Sequence, residues 1–143
     1  ESFMLGQGKT AMNPDEAITG FAIPFNPAFR IRSDFNKLGS RSQVTIARIN
    51  SSLALQNNSD GQITRADLFL GAVSPKPLKI SEAESIFISA SNRNECKEEV
   101  YQIVQQIINE NARPASRAYK SAAVRGLLYD LIDSLYDQTF PCS

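Results

Sequence analysis

Gly8-Lys9-Thr10, near the start of the chain, is the segment whose residue types most directly suggest chemistry. The same three residues end the P-loop, in which backbone amides and the lysine bind nucleotide phosphates. That motif needs a glycine where this chain has Phe3, and it must follow a strand. Gly6 and Gly8 also lack the long amphipathic helix that completes a dinucleotide-binding fingerprint. The spacing therefore argues against either kind of phosphate site.

Histidine and cysteine usage limits the other kinds of site. The sequence has no histidine, which removes the most common general base and transition-metal ligand. Cys96 and Cys142 are too far apart for metal-type spacing, and we predict no metal site. A disulfide between them and two free thiols both fit the sequence, and the apolar stripe around Cys96 favours a core residue. So few cysteines indicate a reducing compartment, and we predict a cytoplasmic protein.

The composition is that of an ordinary globular domain. The 143 residues are 42% hydrophobic and 21% charged, with 15 basic and 15 acidic side chains. A net charge of zero gives no electrostatic reason to expect nucleic acid or an anionic membrane as a partner. No apolar run reaches the roughly 18 residues of a membrane-spanning helix. We therefore expect neither nucleic acid nor membrane binding.

Two alternating segments in the middle of the chain predict a β-hairpin. The first runs from Val44 to Gln56, and the second places Ala66, Leu68, Leu70 and Ala72 on one face. The turn signal between them ends in Asp60-Gly61. Shorter strands are predicted at Phe35–Leu38 and at Phe21-Ala22-Ile23, the latter ended by Pro24. Pro14 is expected to open a single helical turn.

Beyond Pro77 the apolar period becomes helical. Ser81 and Glu84 have the spacing of a capping box for a short helix. Asn94 is the predicted N-cap of a longer helix, and a third helix follows. The second and third helices have one-sided apolar stripes, which are listed here: Cys96, Val100, Ile103, Val104, Ile107 and Ile108; then Val124, Leu127, Leu128, Leu131, Ile132 and Leu135. We predict an α+β fold in which an antiparallel sheet of three to four strands is followed by three helices packed on one face.

The order of several short segments resembles the flavin subunits of molybdenum hydroxylases, namely xanthine dehydrogenases, aldehyde oxidases and carbon monoxide dehydrogenases. The segments, which span almost the whole chain, are Gly6-x-x-Lys9-Thr10, Pro14-x-Glu16-Ala17-Ile18, Ile23-Pro24, Lys37-x-Gly39-x-Arg41, Ile46-Ala47-x-Ile49-Asn50, Gly71-Ala72-Val73-x-Pro75-x-Pro77 and Ala83-Glu84. Near the start of the last helix, Arg117, Tyr119 and Val124 stand where the family has Asp, Arg and Tyr.

The resemblance implies a place within a larger enzyme. Residues 1–25 would be the tail of the FAD-binding domain, and residues 26–143 would be the C-terminal α+β domain of the subunit. The complete subunit would carry FAD and pass electrons from iron–sulfur clusters to an acceptor such as NAD. Its partners would be a large subunit with molybdopterin and a subunit with 2Fe-2S clusters. The fragment alone is expected to be inactive and to hold no FAD.

The same resemblance marks three residues at the rim of the flavin site. Lys9, Ile18 and Lys37 match family positions around the cofactor. A lysine near the flavin can stabilise the electron-rich ring or a phosphate, and an aliphatic side chain can cover a ring face. The structural alternatives are a solvated loop charge for Lys9, a core residue for Ile18 and a surface residue for Lys37. For the domain, the alternative function is non-catalytic subunit docking or formation of a homodimer.

Overall fold

The computed structural model describes residues 3–23, 29–39 and 46–136. The strands are β1 (Met4–Gly6), β2 (Lys9–Thr10), β3 (Arg30–Leu38), β4 (Ile49–Asn57), β5 (Ile63–Gly71) and β6 (Leu78–Lys79). The helices are α1 (Glu82–Ser89), α2 (Arg93–Asn111) and α3 (Pro114–Tyr136). Strands precede helices along the chain, and the predicted α+β class is confirmed.

The main sheet is antiparallel with the strand order β3-β4-β5-β6. Leu53 of β4 pairs with Leu68 of β5, and the buried residues alternate along both strands as the sequence predicts. In the connecting turn, the Asn58 side-chain oxygen accepts hydrogen bonds from the backbone amides of Asp60 and Gln62 at 3.0 and 2.9 Å. The β4–β5 hairpin is thus confirmed. The prediction is wrong for Ala72, which is exposed beyond the end of β5 and does not share the buried face with Ala66, Leu68 and Leu70.

β3 is longer than predicted and pairs with β4 over all nine residues, from Arg30 to Leu38. Only its last four residues were predicted, because the half-buried side of the strand is mostly polar: Arg32, Asp34 and Asn36. The strand predicted at Phe21–Ile23 is wrong. Phe21 and Ile23 are 86% and 87% exposed, so their apolar character reflects no burial here. Pro24 and residues 44–45 lie outside the described residues, and β4 begins at Ile49.

Two predicted helix starts need correction. Ser81 precedes α1 but has helical backbone angles, φ −65° and ψ −30°, and its side chain makes no capping hydrogen bond, so the capping box with Glu84 does not form. The N-cap of α2 is Asn92 rather than Asn94. Asn92 is extended, which lets its side-chain oxygen accept a hydrogen bond from the amide of Glu95 at 2.9 Å.

The helices cover one side of the sheet. α3 contacts β3 and β4, α1 contacts β5, and α2 packs against α3 and α1. All six residues of the α3 stripe are buried, as predicted. On α2 the core is formed by Cys96, Val100, Val104 and Ile108, whereas Ile103 and Ile107 are only partly buried. The predicted stripe of α2 is therefore fully buried at four residues and partly buried at Ile103 and Ile107, which pack against the core but do not reach the sheet.

The N-terminal segment, residues 3–23, is exposed almost throughout. β1 and β2 form a two-stranded hairpin whose backbone contacts no other strand or helix among the described elements. Pro14 and Asp15 form a turn rather than the predicted helical turn, and the Glu16 carboxylate accepts hydrogen bonds from the amide of Asn13 at 2.7 Å and from its side chain. In the described ranges, no helix combines the length and apolar character needed to cross a bilayer.

Candidate functional site

Lys9 lies on β2, directly after the tight turn of the N-terminal hairpin. Gly8 takes a left-handed conformation there, with φ 65°, which glycine adopts without strain. The Lys9 side chain is exposed, and it makes no hydrogen bond or ion pair with the described residues. It is therefore available to an anionic partner that lies outside this chain.

Ile18 belongs to the irregular part of the N-terminal segment and is 52% exposed. The predicted alternative of a core residue does not hold within this chain. The segment also exposes the other large apolar side chains listed here: Phe3, Met4, Leu5, Met12, Phe21 and Ile23. So many exposed apolar residues in a stretch of about twenty exceed the scattered exposure usual for a monomer surface. The exposed side chains therefore indicate that this segment packs against an apolar partner.

Lys37 lies on β3 with its side chain on the side of the sheet away from the helices. Phe35 is 54% exposed on the same side. It pairs with Ser52 of β4, which in turn pairs with Phe69 of β5. Since β2 and β3 make no backbone contact, the structure does not bring Lys37 together with Lys9. The three predicted rim residues are thus divided between the N-terminal segment and the outer sheet face.

Two of the segments that carry the resemblance meet in the sheet. Asn50 of β4 pairs with Gly71 of β5. A Cβ atom at position 71 would lie 2.1 Å from the Asn50 side-chain oxygen, closer than any real contact. Only glycine leaves room for the asparagine side chain at this pair. The Ile-Ala-x-Ile-Asn and Gly-Ala-Val segments therefore fit each other as neighbouring strands.

Cys96 is a core residue and not a nucleophile. It is fully buried and free, and the pKa of its thiol is raised by burial, which keeps it protonated. Tyr136 places its hydroxyl 3.5 Å from the sulfur. Cys142 lies outside the described residues, but because Cys96 is a free thiol the disulfide alternative is not formed in this structure. The described residues contain no group of three or more His, Cys, Asp and Glu side chains arranged for a metal ion.

Polar clusters between α2 and α3 are structural. Tyr129 donates a hydrogen bond to the Glu98 carboxylate at 2.6 Å, and this bond lowers the pKa of Glu98. Lys97 donates to Asp133 at 2.6 Å. Arg125 stacks within 5.2 Å of the Tyr129 ring centre. These contacts join the two helices, which agrees with the solvated-face interpretation of the acidic residues. The cavity beside Lys97 and Asp133 is wide open to solvent, and its lysine and carboxylate already pair with each other.

One cavity with two basic side chains in its lining was not predicted from the sequence. It lies at the beginning of α3 and is lined by Gln7, Arg113 and Lys120, among others. Lys120 is four residues before Val124, the first residue of the buried stripe. Residues four apart lie on the same helix face, so the spacing places Lys120 on the side of the buried stripe, but it does not by itself predict that a lysine is buried there.

The comparisons with known proteins agree with this fold. The family model of the CO dehydrogenase flavoprotein C-terminal domain matches residues 35–135. The carbon monoxide dehydrogenase of Hydrogenophaga pseudoflava that lacks the Mo-pyranopterin moiety is similar with a TM-score of 0.71 and 17% identity, over 96% of this chain and 47% of its own. Quinoline 2-oxidoreductase of Pseudomonas putida 86 gives 0.70 and 15%, over 96% and 47%. Reconstituted CO dehydrogenase from Oligotropha carboxidovorans gives 0.69 and 20%, over 90% and 44%.

The chain spans about half the length of the solved chains that it resembles. No curated protein matches its sequence. The family model covers well over half of the chain, including the whole β4–β5 hairpin and nearly all of the three helices. From this match and the four-stranded sheet with its helices, the chain belongs to the CO dehydrogenase flavoprotein C-terminal domain family.

Proposed function

We propose that this chain is the C-terminal part of the FAD subunit of a molybdenum hydroxylase of the xanthine dehydrogenase kind. The family match over residues 35–135 carries the proposal. Residues 1–25 would end the FAD-binding domain, and residues 26–143 would form the C-terminal domain. The exposed apolar side chains of the N-terminal segment support this division, because they have no core of their own.

Three residues would face the flavin in the complete subunit. The bound FAD would supply electron transfer, taking electrons from iron–sulfur clusters and passing them to an acceptor such as NAD. Lys9 would place a positive charge near the cofactor, and its lack of a partner among the described residues fits that role. Ile18 would cover apolar ring surface, for which its half-exposed side chain is available. Lys37 would place a second positive charge near the cofactor, from the outer face of the sheet.

The proposed partners follow from the same family. A large molybdopterin subunit would oxidise the substrate, and a small subunit with 2Fe-2S clusters would relay the electrons. The assembled protein would be cytoplasmic. The substrate would be selected by the large subunit, so nothing in this chain's rim residues would determine it.

A second function is favoured by the outer face of the sheet. Ile31 and Phe35 of β3 are exposed there, and Phe69 of β5 is partly so. A domain with such a face could act by docking to a neighbouring subunit or by forming a homodimer, without touching the cofactor. The two functions differ in what Lys9 does, because docking through the sheet does not need it.

The test is a flavin titration of the complete subunit. We expect the 143-residue chain alone to be colourless and the complete subunit to bind FAD in stoichiometric amount. Lys9→Ala should weaken FAD affinity or slow flavin reduction while the subunit stays folded. Lys76→Ala is the control, since the Lys76 side chain likewise makes no hydrogen bond or ion pair with the described residues. Unchanged affinity and reduction in Lys9→Ala would reject the rim assignment and favour docking.

A further inference from the structure

A cavity of about 560 Å³ lies where the N-terminal segment meets the beginning of α3. Its lining includes Gln7 of the N-terminal hairpin, Ala72 and Ser74 from beyond β5, and Arg113 and Lys120 from the beginning of α3. Its lining, drawn from the described residues, contains two basic side chains and no acidic one. The cavity is therefore positively charged, although the chain as a whole has a net charge of zero.

Lys120 is the unusual residue of this cavity. It is only 8% exposed, yet no carboxylate within the described ranges forms an ion pair with it. Its ammonium group donates a hydrogen bond to the backbone carbonyl of Ala72, which carries no net charge. A buried charge without a counter-charge is costly, because it has lost water and gained no opposite charge in exchange.

Lys97 shows what the chain does with a buried lysine elsewhere. It is 9% exposed, almost the same as Lys120, and it donates to the Asp133 carboxylate at 2.6 Å. Two lysines of nearly equal burial thus differ in their partners: Lys97 has a carboxylate and the Tyr129 ring, and Lys120 has a backbone carbonyl. Lys97 needs no further ligand, whereas the charge of Lys120 is left uncompensated.

Arg113 adds a second positive charge to the same cavity. Its guanidinium donates a hydrogen bond to the Gln7 side-chain oxygen at 3.0 Å, and it too has no carboxylate partner among the residues that the structure describes. Burial, together with repulsion from Arg113, lowers the pKa of Lys120. Because the two cations repel each other, an anion between them would remove both the repulsion and the uncompensated burial.

We propose that this cavity binds a phosphate group between Arg113 and Lys120. The arginine offers a planar fork of donors, and the lysine offers a buried point charge. Both charges act near the beginning of α3, whose dipole is positive at that end and adds to the attraction. The bound group is either free phosphate or the phosphate of a nucleotide, and its site is separate from the rim residues Lys9 and Lys37.

Thermal unfolding of the 143-residue chain, with inorganic phosphate added at constant ionic strength, tests the proposal. A ligand that binds only the folded state raises Tm as its concentration rises. We expect a saturable rise in Tm for the unsubstituted chain, and its loss in Arg113→Gln and Lys120→Met. Lys97→Met is the matched control. It should unfold at a lower temperature but keep the same phosphate-dependent rise.

Two further measurements, on the variants without phosphate and with ADP as ligand, complete the test. Without phosphate, Lys120→Met should unfold at the same or a higher temperature than the unsubstituted chain, because it removes an uncompensated buried charge. Arg113 is exposed, so Arg113→Gln gives a folded variant even if Lys120→Met does not fold. ADP tested beside inorganic phosphate identifies the source, since a lower half-saturating concentration for ADP means a nucleotide phosphate. No saturable rise, or a rise that survives in Arg113→Gln, overturns the proposal.

Discussion

Leu128 and Lys120 lie about two turns apart on the same side of α3, and both are buried. The apolar spacing of the helix predicts the burial of Leu128. It does not predict that of Lys120, because a lysine on an apolar stripe normally marks the point where the stripe becomes solvated. Hydrophobic period alone thus identifies which helix face is buried, but it cannot say which polar residue is buried with it.

Leu128→Ala should destabilise the chain by about 2–5 kcal/mol, because a completely buried leucine loses transfer free energy and leaves a cavity. Lys9→Ala should change the free energy of unfolding by less than about 0.5 kcal/mol, because an exposed lysine contributes little to folding. Urea denaturation of both variants measures this. Equal losses in the two variants would contradict the assignment of Leu128 to the core.

At the scale of elements, β5 and β6 are joined on the outer face of the sheet by charge. Asp67 accepts hydrogen bonds from Lys79 at 2.6 Å and from Arg65 at 2.8 Å. The bond from Lys79, followed by Arg65, lowers the pKa of Asp67, although burial acts in the opposite direction. β6 is only two residues long, and this contact adds to the backbone pairing that holds it on β5.

Asp67→Asn should reduce stability at neutral pH by about 0.2–1 kcal/mol, a range set by the exposure of both partners. Because the folded pKa is lowered, the charged carboxylate stabilises the fold above its unfolded pKa of about 3.9. That stabilisation is lost as the pH falls through the folded pKa, so the difference from the unsubstituted chain should vanish in acid. Asp130→Asn, an exposed residue of α3, is the control. A difference that persists unchanged in acid would contradict this assignment.

The elements that the sequence predicts well are those whose apolar pattern matches their burial. The hairpin strands β4 and β5 and the stripe of α3 were predicted on this basis and are confirmed. β3 was predicted only in part, because Arg32 and Asp34 occupy its half-buried face. The strand at Phe21–Ile23 was predicted from apolar residues that are exposed in this chain. The cavity at Arg113 was not predicted, since it joins residues far apart in sequence.

The whole molecule is divided between a packed part and an exposed part. The sheet and helices share one hydrophobic cluster, while the N-terminal segment is tied to them by the hydrogen bond between Gln7 and Arg113. Ordering a segment costs conformational entropy, and little buried surface offsets that cost here. The segment is therefore expected to be the least protected described part of the 143-residue chain.

Hydrogen exchange followed by mass spectrometry tests this division. Amides in residues 3–23 should exchange close to the rate of an unfolded peptide, whereas those of β4 and α3 should exchange only through global unfolding. In the complete subunit, protection of residues 3–23 should increase as their apolar side chains are covered. Equal protection of both regions in the isolated chain would mean that the segment is part of the same cooperative unit.

Ala72 links the end of β5 to α3 in a way that bears on how the sequence can change over time. Its φ of 62° is left-handed, a conformation that alanine adopts at a cost and that β-branched residues adopt far less readily. Its carbonyl is at the same time the acceptor for Lys120. Position 72 is thus open to glycine or asparagine and unfavourable for valine or isoleucine. The restriction falls on the backbone angle and not on the side chain, because the carbonyl that accepts from Lys120, 48 residues further along the chain, is present whichever residue stands there.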